Sequence, residues 1–325
     1  MEAADKLLQM VVALFVFAAV IAVILMIVHL LERRGVRRVA WWFVGPTVLL
    51  IVVGLIYPAL RTIWRSLYDA VGTSFIGLEN YVDIFTNTEQ LTVLRNTVLW
   101  VLVTPFVATF VGLLYAILVD GAKGEAVSKA VIFLPMAISF VGASIIWKFM
   151  YDYRFHDPTV AVNPEQIGLI NQIIVWLGGT PQNFLLDSPW NNFFLIVVMI
   201  WIQAGFAMTI LSAAIKAIPS DIVEAARLDG VGALQMFRFV TVPSIRPTLI
   251  VVLTTIAIGC LKVFDIVRTM TGGLYNTSVV ANEFYTQSFS AGNPGLGAAL
   301  AVVLFLLVTP IIIYNVRHLR KADQR

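Results

Sequence analysis

The feature that most constrains this chain is a set of seven apolar segments, each long enough to cross the roughly 30 Å hydrocarbon core of a bilayer. The segments are Leu8–Leu31, Trp41–Leu60, Asn96–Val119, Ala130–Trp147, Phe193–Ile215, Pro247–Val267 and Leu296–Val316. A bilayer offers no water to backbone N–H and C=O groups, so segments of this length should be helices. With 59% hydrophobic and only 13% charged residues among 325, the chain is no ordinary soluble domain. We therefore predict an all-α membrane protein with about seven transmembrane helices.

The basic residues predict how these segments are oriented. Fourteen of the 22 Lys and Arg residues follow the first or third segment, flank or occupy the connection from the fifth to the sixth, or close the chain. They are Arg33, Arg34, Arg37, Arg38, Lys123, Lys129, Lys216, Arg227, Arg238, Arg246, Arg317, Arg320, Lys321 and Arg325. Because such residues concentrate on the cytosolic side, we expect the N terminus outside and the C terminus in the cytosol. Loop 217–246 is then cytosolic and connection 151–192 external.

Loop 217–246 carries a pattern typical of two short helices. Pro219 cannot continue the preceding helix, and Gly230 supplies a left-handed stop for the first short helix. A second short helix is predicted at Ala233–Phe239, ending before Pro243. Helices of about eight residues are unstable alone in water. Something must therefore hold this loop.

The loop resembles the coupling loop of ABC-importer membrane subunits, whose motif is E-A-A, three residues, G, nine residues, I-x-L-P. Val240 and Val242 replace the Ile and Leu of that motif. The positions that match outright are Glu224, Ala225, Ala226, Gly230 and Pro243. The resemblance implies that these positions and Asp229 couple the chain to an ATPase.

Two further segments are similar to sugar-importer permeases of the MalF type: Phe75-Ile-Gly-Leu-Glu-Asn-Tyr81, and Phe264-Asp265 leading to Thr271-Gly-Gly273. This resemblance covers about residues 42–325. It implies the type I ABC importer permease fold, with residues 1–41 adding one N-terminal transmembrane helix and a basic linker to a six-helix core.

The resemblance also implies a function and a set of partners. The chain would be a membrane subunit, in a prokaryotic cell membrane, of an ATP-driven importer of a neutral glycoside or oligosaccharide. Its partners would be a second, MalG-like permease subunit, two ATP-binding subunits that hold MgATP, and an extracytoplasmic binding protein. The sequence has no Gly-x-x-x-x-Gly-Lys phosphate loop, so we expect no cofactor on this chain and no enzymatic activity. Its histidines lack the spacing of metal ligands, so we expect no metal site. Its net charge of +3 is explained by the excess of Lys and Arg in the cytosolic segments, so we expect no nucleic-acid binding.

The same family places the substrate midway through the membrane, between the helices that flank the coupling loop. Superposing the loops implies that Ile202, Gln203 and Phe206 line the path before the loop. Aligning the later Gly-Gly pair implies a second set of path residues: Thr255, Ile258, Gly259 and Lys262. An aromatic ring and an amide suit a sugar. The alternative for each position is ordinary packing between membrane helices.

Lys262 and Asp265 lie three residues apart in the sixth segment and are predicted to share one helical face as an ion pair. They sustain a rival hypothesis, an ion-coupled secondary transporter. A polytopic membrane enzyme is a second rival, and a glycerol-phosphate or other solute importer is a third.

Overall fold

A computed structural model describes residues 39–155 and 164–322, together with residues 12, 15, 19, 21–23 and 26. In these parts of the chain every regular element is helical, and one isolated antiparallel bridge pairs Tyr68 with Phe75. The chain divides into two compact units, Met1–Trp64 and Arg65–Arg325. The first predicted segment, Leu8–Leu31, lies outside the described residues except for the single positions given above, which are helical.

From residue 39 onward, the described part of the first unit is one long apolar helix. Helix α1, Val39–Ile51, continues through a π-helical turn at Val52–Ile56 into α2, Tyr57–Arg65. The N–H of Tyr57 donates to the carbonyl of Val52, five residues back, immediately before Pro58, which has no N–H to give. The π turn therefore lets the helix pass a proline without ending. This confirms the predicted helix Trp41–Leu60 and extends it to Arg65.

The second unit is a bundle of helices of very different lengths. They are α3 Glu79–Thr86, α4 Thr88–Val119, α5 Glu125–Phe133, α6 Phe140–Met150, α7 Leu169–Trp176, α8 Asn191–Lys216, α9 Ser220–Leu228, α10 Ala233–Gln235, α11 Val242–Leu261, α12 Asp265–Met270, α13 Val280–Tyr285 and α14 Pro294–Ala322.

Among the described residues of this unit, four helices are long and apolar enough to cross a membrane: Thr88–Val119, Asn191–Lys216, Ala233–Leu261 and Pro294–Arg317. They confirm the predicted helices at 96–119, 193–215 and 296–316. The predicted segment Pro247–Val267 is displaced toward the N terminus. Its helix begins at Ala233 and ends at Leu261.

The predicted helical span Ala130–Trp147 is divided into two helices rather than formed by one. Helix α5 passes through a 3₁₀ turn at Leu134–Ala137, and the chain then bends by 101° into α6. Ile138 is extended, and Ser139 accepts a hydrogen bond from the N–H of Gly142 at 3.1 Å, which caps α6. The sequence therefore starts a second helix inside one apolar run.

Helix α8 lies at the centre of this bundle, and two glycines set its closest contacts. A Cβ at Gly112 of α4 would lie 2.5 Å from Cβ of Ala207. A Cβ at Gly205 would lie 2.5 Å from the carbonyl oxygen of Ile132. Glycine thus allows α4 and the end of α5 to approach α8 more closely than any other residue would.

Candidate functional site

Helix α9 and its stop form the first half of loop 217–246. Gly230 has φ of +76°, the left-handed conformation predicted for it. The N–H of Val231 donates to the carbonyl of Ala226 at 3.2 Å, and the N–H of Gly230 donates to that of Arg227 at 3.1 Å. These two bonds make a Schellman motif, which ends the helix and turns the chain sharply.

The second half of the loop differs from the prediction. The helix expected to end before Pro243 instead runs without a break, because a π-helical segment at Met236–Thr241 joins α10 to α11. The N–H of Val242 donates five residues back, to the carbonyl of Phe237. This wider turn accommodates the proline that follows. The second half of the loop, from Ala233 onward, is therefore continuous with α11.

The surface of the loop carries both large apolar and charged side chains. Phe237 packs against the hydrophobic core and anchors the loop, whereas several large apolar side chains remain exposed. The exposed fractions are 47% for Ile222, 88% for Leu228, 78% for Leu234 and 67% for Phe239. Glu224 is also exposed and makes no hydrogen bond or ion pair with any described residue. Such a patch is suited to being covered by another protein.

The remaining loop positions predicted to couple are all partly or fully accessible. Ala225, Asp229 and Pro243 are exposed, and Ala226 is half-buried. All the positions predicted to couple to an ATPase are therefore at least partly accessible to solvent.

A cluster of charges lies where α8 enters the loop. Lys216 is 2.5 Å from a carboxylate oxygen of Glu125 and 3.4 Å from Asp120. Lys129 forms a second ion pair with Glu125 at 2.6 Å and donates to the hydroxyl of Ser212. The cluster joins the ends of α4, α5 and α8, so the base of the loop is tied to two neighbouring helices. Sequence analysis used these lysines only to orient the chain. Glu125 lies 91 residues from Lys216, which hides that ion pair, but only four residues from Lys129.

The path residues predicted on α8 occupy different environments. Ile202 is 3% exposed and belongs to the hydrophobic core, so it packs within the bundle. Phe206 is half-buried and touches the same core, and Gln203 is half-buried. Gln203 and Phe206 therefore keep part of their surface available.

The path residues predicted on α11 face Gln203 at one point. A Cβ placed on Gly259 would lie 3.6 Å from the Gln203 side-chain nitrogen and 3.8 Å from the Met199 methyl group, both ordinary contact distances. Packing within the chain therefore does not require glycine there. Ile258 is half-buried and Thr255 exposed.

The predicted pairing of Lys262 with Asp265 is wrong. Helix α11 ends at Leu261, and Lys262 and Val263 make the turn into α12. Phe264 precedes Asp265, which is the first residue of that helix. The two charged residues therefore lie on different helices rather than on one face, and no ion pair joins them. Lys262 is exposed.

Asparagines at the opposite end of the bundle form a network that sequence analysis missed. The Asn96 amide donates to the carbonyls of Asn276 and Ser278, at 2.7 and 2.9 Å. Asn191 donates to the carbonyl of Tyr275 at 2.8 Å. These bonds hold loop 271–279 on α4 and α8. The sequence did offer one indication of this network, because asparagines stand at or just before the starts of two long apolar segments.

Comparison with known proteins supplies the family. The sequence profile of the family described as "Binding-protein-dependent transport system inner membrane component" matches residues 108–321. The chain is 46% identical over 282 residues to the osmoprotective compounds uptake permease protein GgtC of Synechocystis sp., covering 87% of this chain and 99% of that protein. It is 47% identical over 279 residues to the alpha-glucoside transport system permease protein AglF of Rhizobium meliloti, covering 86% and 81%.

A more distant relative and a solved structure agree with this family assignment. The trehalose/maltose transport system permease protein MalF of Thermococcus litoralis is 30% identical over 282 residues, covering 83% of this chain and 90% of that protein. The crystal structure of a bacterial ABC transporter that imports the acidic polysaccharide alginate superposes with a TM-score of 0.73 at 20% identity. That superposition covers 90% of this chain and 97% of the other, and it establishes the type I importer permease fold.

Proposed function

Because the chain belongs to the family of binding-protein-dependent transport system inner membrane components, we propose that it is the membrane subunit of an ATP-driven importer of neutral α-glucosides. The substrate class is supported by the relatives named for alpha-glucosides and for osmoprotective compounds, each sharing almost half of its residues with this chain. Alginate, the cargo of the solved transporter, is acidic, and the 20% identity carries nothing about its substrate to this chain.

The mechanical part of the proposal rests on loop 217–246. Two partner ATPases close on MgATP and move this loop, and the unbroken helix from Ala233 to Leu261 transmits the displacement into the membrane. Exposed apolar side chains such as Leu228 and Leu234 supply the contact area, and Glu224 adds a charged contact. Gly230 provides the sharp turn that makes the loop protrude.

The orientation follows the distribution of basic residues. We place loop 217–246 and the C terminus in the cytosol and connection 151–192 outside, where an extracytoplasmic binding protein delivers the substrate. Residues 1–41 add a helix to a core of residues 42–325, and a second permease subunit completes the path.

The substrate path runs between α8 and α11, where Gln203 lies against Gly259. The Gln203 amide offers hydrogen bonds to hydroxyls, and the Phe206 ring offers an apolar face. A buried polar group without a partner costs a few kcal/mol, so these groups select a ligand that satisfies them.

Reconstitution in liposomes with the partner subunits and binding protein tests the proposed function. We expect uptake of radiolabelled maltose, trehalose or sucrose only when ATP is inside and binding protein is outside. Uptake that survives removal of ATP but collapses with the ion gradient would contradict the proposal and favour a secondary transporter.

A pair of substitutions at Gly259 tests the path. Gly259→Ala should leave uptake nearly unchanged, because a methyl group there meets only ordinary contacts. Gly259→Leu should block uptake while the protein still assembles with its ATPase. Phe206→Ala should raise the transport constant, which is the substrate concentration that gives half-maximal uptake. An unchanged value would show that Phe206 does not line the path.

A further inference from the structure

A second polar site lies at the end of the bundle opposite loop 217–246. It is a cavity of about 340 Å³, within the range of about 300–1,000 Å³ typical of small-molecule sites. Three segments enclose it: the end of α6 with the turn after it, the stretch before α8, and the residues after α12. We call it the tyrosine pocket. Its polar lining residues with unused side chains are Lys148, Asp152, Tyr153, Asn183 and Tyr275.

The walls of the tyrosine pocket are fixed by contacts beneath them. Buried Tyr151 donates to the carbonyl of Phe194 at 3.1 Å, and its ring lies 5.2 Å from that of Phe184 and 5.7 Å from that of Phe194. Asn171 donates to the carbonyl of Asp152 at 2.8 Å. The cavity is therefore preformed rather than dependent on a mobile loop.

The wall that carries Tyr275 is held in a costly conformation. Tyr275 and Asn276 both have left-handed backbones, with φ of +56° and +60°, a conformation that asparagine tolerates but that is unfavourable for tyrosine. Hydrogen bonds from Asn191 and Asn96 to these two residues' carbonyls offset that cost. The ring of Tyr275 is nevertheless 49% exposed, so the strained backbone presents it rather than buries it.

The polar side chains of the pocket are unused within the described residues. Those of Lys148, Asp152, Tyr153, Asn183 and Tyr275 make no hydrogen bond or ion pair there. By contrast, the side-chain nitrogen of Asn80 donates to the carbonyls of Ser66 and Tyr68, at 2.8 and 2.9 Å. These side chains are exposed or half-buried, so water satisfies them in the empty cavity, and a ligand with several hydroxyl groups replaces that water with matched hydrogen bonds.

The lining defines the ligand's chemistry. One positive and one negative side chain leave the pocket without net charge, which favours a neutral molecule over an anion or a cation. Amide, carboxylate, ammonium and phenol groups match the mixed donors and acceptors of sugar hydroxyls. The exposed Tyr275 ring offers a flat face to the apolar side of a pyranose.

We propose that the tyrosine pocket is a second saccharide site, which receives a neutral glycoside before it reaches Gln203 and Phe206. The proposal rests on the proposed function for its ligand class and for the external position of this end. Along the chain, α12 links Lys262, at the end of α11, to Met270, which lines the pocket. A sugar released at this end would therefore meet the pocket first.

Protection of an introduced cysteine measures binding without transport. Leu186 lines the pocket and is 41% exposed, whereas Leu274 is exposed outside it. Cys260, the chain's only cysteine, is fully buried, so background labelling is low. Maltose at about ten times its dissociation constant should slow maleimide labelling of Leu186→Cys about tenfold and leave labelling of Leu274→Cys unchanged. Equal rates at Leu186→Cys with and without maltose would overturn the proposal.

Uptake by the assembled transporter separates this proposal from the function on which it rests. Tyr275→Phe keeps the ring and should stay within about threefold of the wild type, whereas Tyr275→Leu should raise the transport constant about tenfold. ATPase stimulation by the binding protein should not change. Loss of that stimulation in Tyr275→Leu would assign the pocket to protein docking and overturn the saccharide site. If the wild type itself fails to import maltose, the proposed function fails, and the labelling result still decides whether the pocket binds a sugar.

Discussion

Two loops at opposite ends of the bundle, 217–246 and 271–279, differ in how their side chains are exposed or hydrogen-bonded. In loop 217–246, Leu228 and Leu234 project into solvent, and Glu224 has no partner among the described residues. At the other end, Asn96 and Asn191 are buried and their amides are bonded to the backbone of loop 271–279. The side chains of loop 217–246 are thus left exposed, whereas loop 271–279 is held by hydrogen bonds from α4 and α8.

This difference separates two ways of stabilising a loop. Loop 271–279 is fixed by buried hydrogen bonds, which are costly to leave unmade. Loop 217–246 is fixed by the Schellman turn at Gly230 and by continuity with α11, while its outer surface contributes little to the stability of the chain alone. Substitutions at the two ends should therefore separate function from stability.

Reversing the charge at Glu224 should have the largest effect on uptake. Glu224→Lys would oppose a contact to the ATPase, and like charges at an interface cost several kcal/mol, which is more than about hundredfold. ATP-driven uptake measures this, and the unfolding temperature should not change. Lys123→Glu, another exposed charge reversal in the segment between α4 and α5, is the control and should retain uptake. Normal transport by Glu224→Lys would remove loop 217–246 from the coupling role.

Removing the Asn96 amide should cause the largest loss of stability. Asn96→Ala leaves the carbonyls of Asn276 and Ser278 without these bonds, at a cost of about 3 kcal/mol. Asn87→Ala removes an exposed helix cap, whose amide oxygen accepts from the N–H of Glu89 at 2.9 Å, and should cost about 1 kcal/mol. Thermal unfolding in detergent ranks the two. Equal losses would show that the network does not hold loop 271–279.

Shortening the exposed leucines should weaken assembly without destabilising the chain. The double substitution Leu228→Ala and Leu234→Ala removes apolar area that only a partner can bury, so co-purification with the ATPase should fall about tenfold. The unfolding temperature of the isolated chain should stay unchanged. A clear decrease in that temperature would mean that the leucines pack within this subunit.

The smallest expected effect is at the turn itself. No atom lies within 4 Å of a Cβ placed on Gly230, so Gly230→Ala causes no steric clash. Its only cost is that alanine must adopt a left-handed backbone, which should lower the free energy of unfolding by about 1 kcal/mol. Gly230→Asn should cost less, because asparagine tolerates that conformation better. Amide hydrogen exchange at Val231, whose N–H closes the Schellman turn, reports the difference. Equal exchange in both variants would contradict the conformational explanation.

The sequence predicted the long helices and the stop at Gly230 because both depend on local chemistry. An apolar run such as Phe193–Ile215 must be helical in a bilayer, and a glycine after a short amphipathic segment ends it. The sequence pattern was less informative where helices break or continue. Within Ala130–Trp147, Pro135 and Ser139 divide one apolar run into two helices. Before Pro243, a π-helical turn continues the helix where a break was expected.

Composition and spacing by themselves determined that this chain is a helical membrane protein, because that property follows from runs of neighbouring residues. Only the tertiary structure decided that a turn separates Lys262 from the helix of Asp265, that Gln203 faces Gly259, and that five polar side chains without a partner among the described residues line one cavity. These facts depend on how helices far apart in sequence bend and pack. Such packing is set by close contacts such as Gly112 against Ala207, which no local pattern encodes.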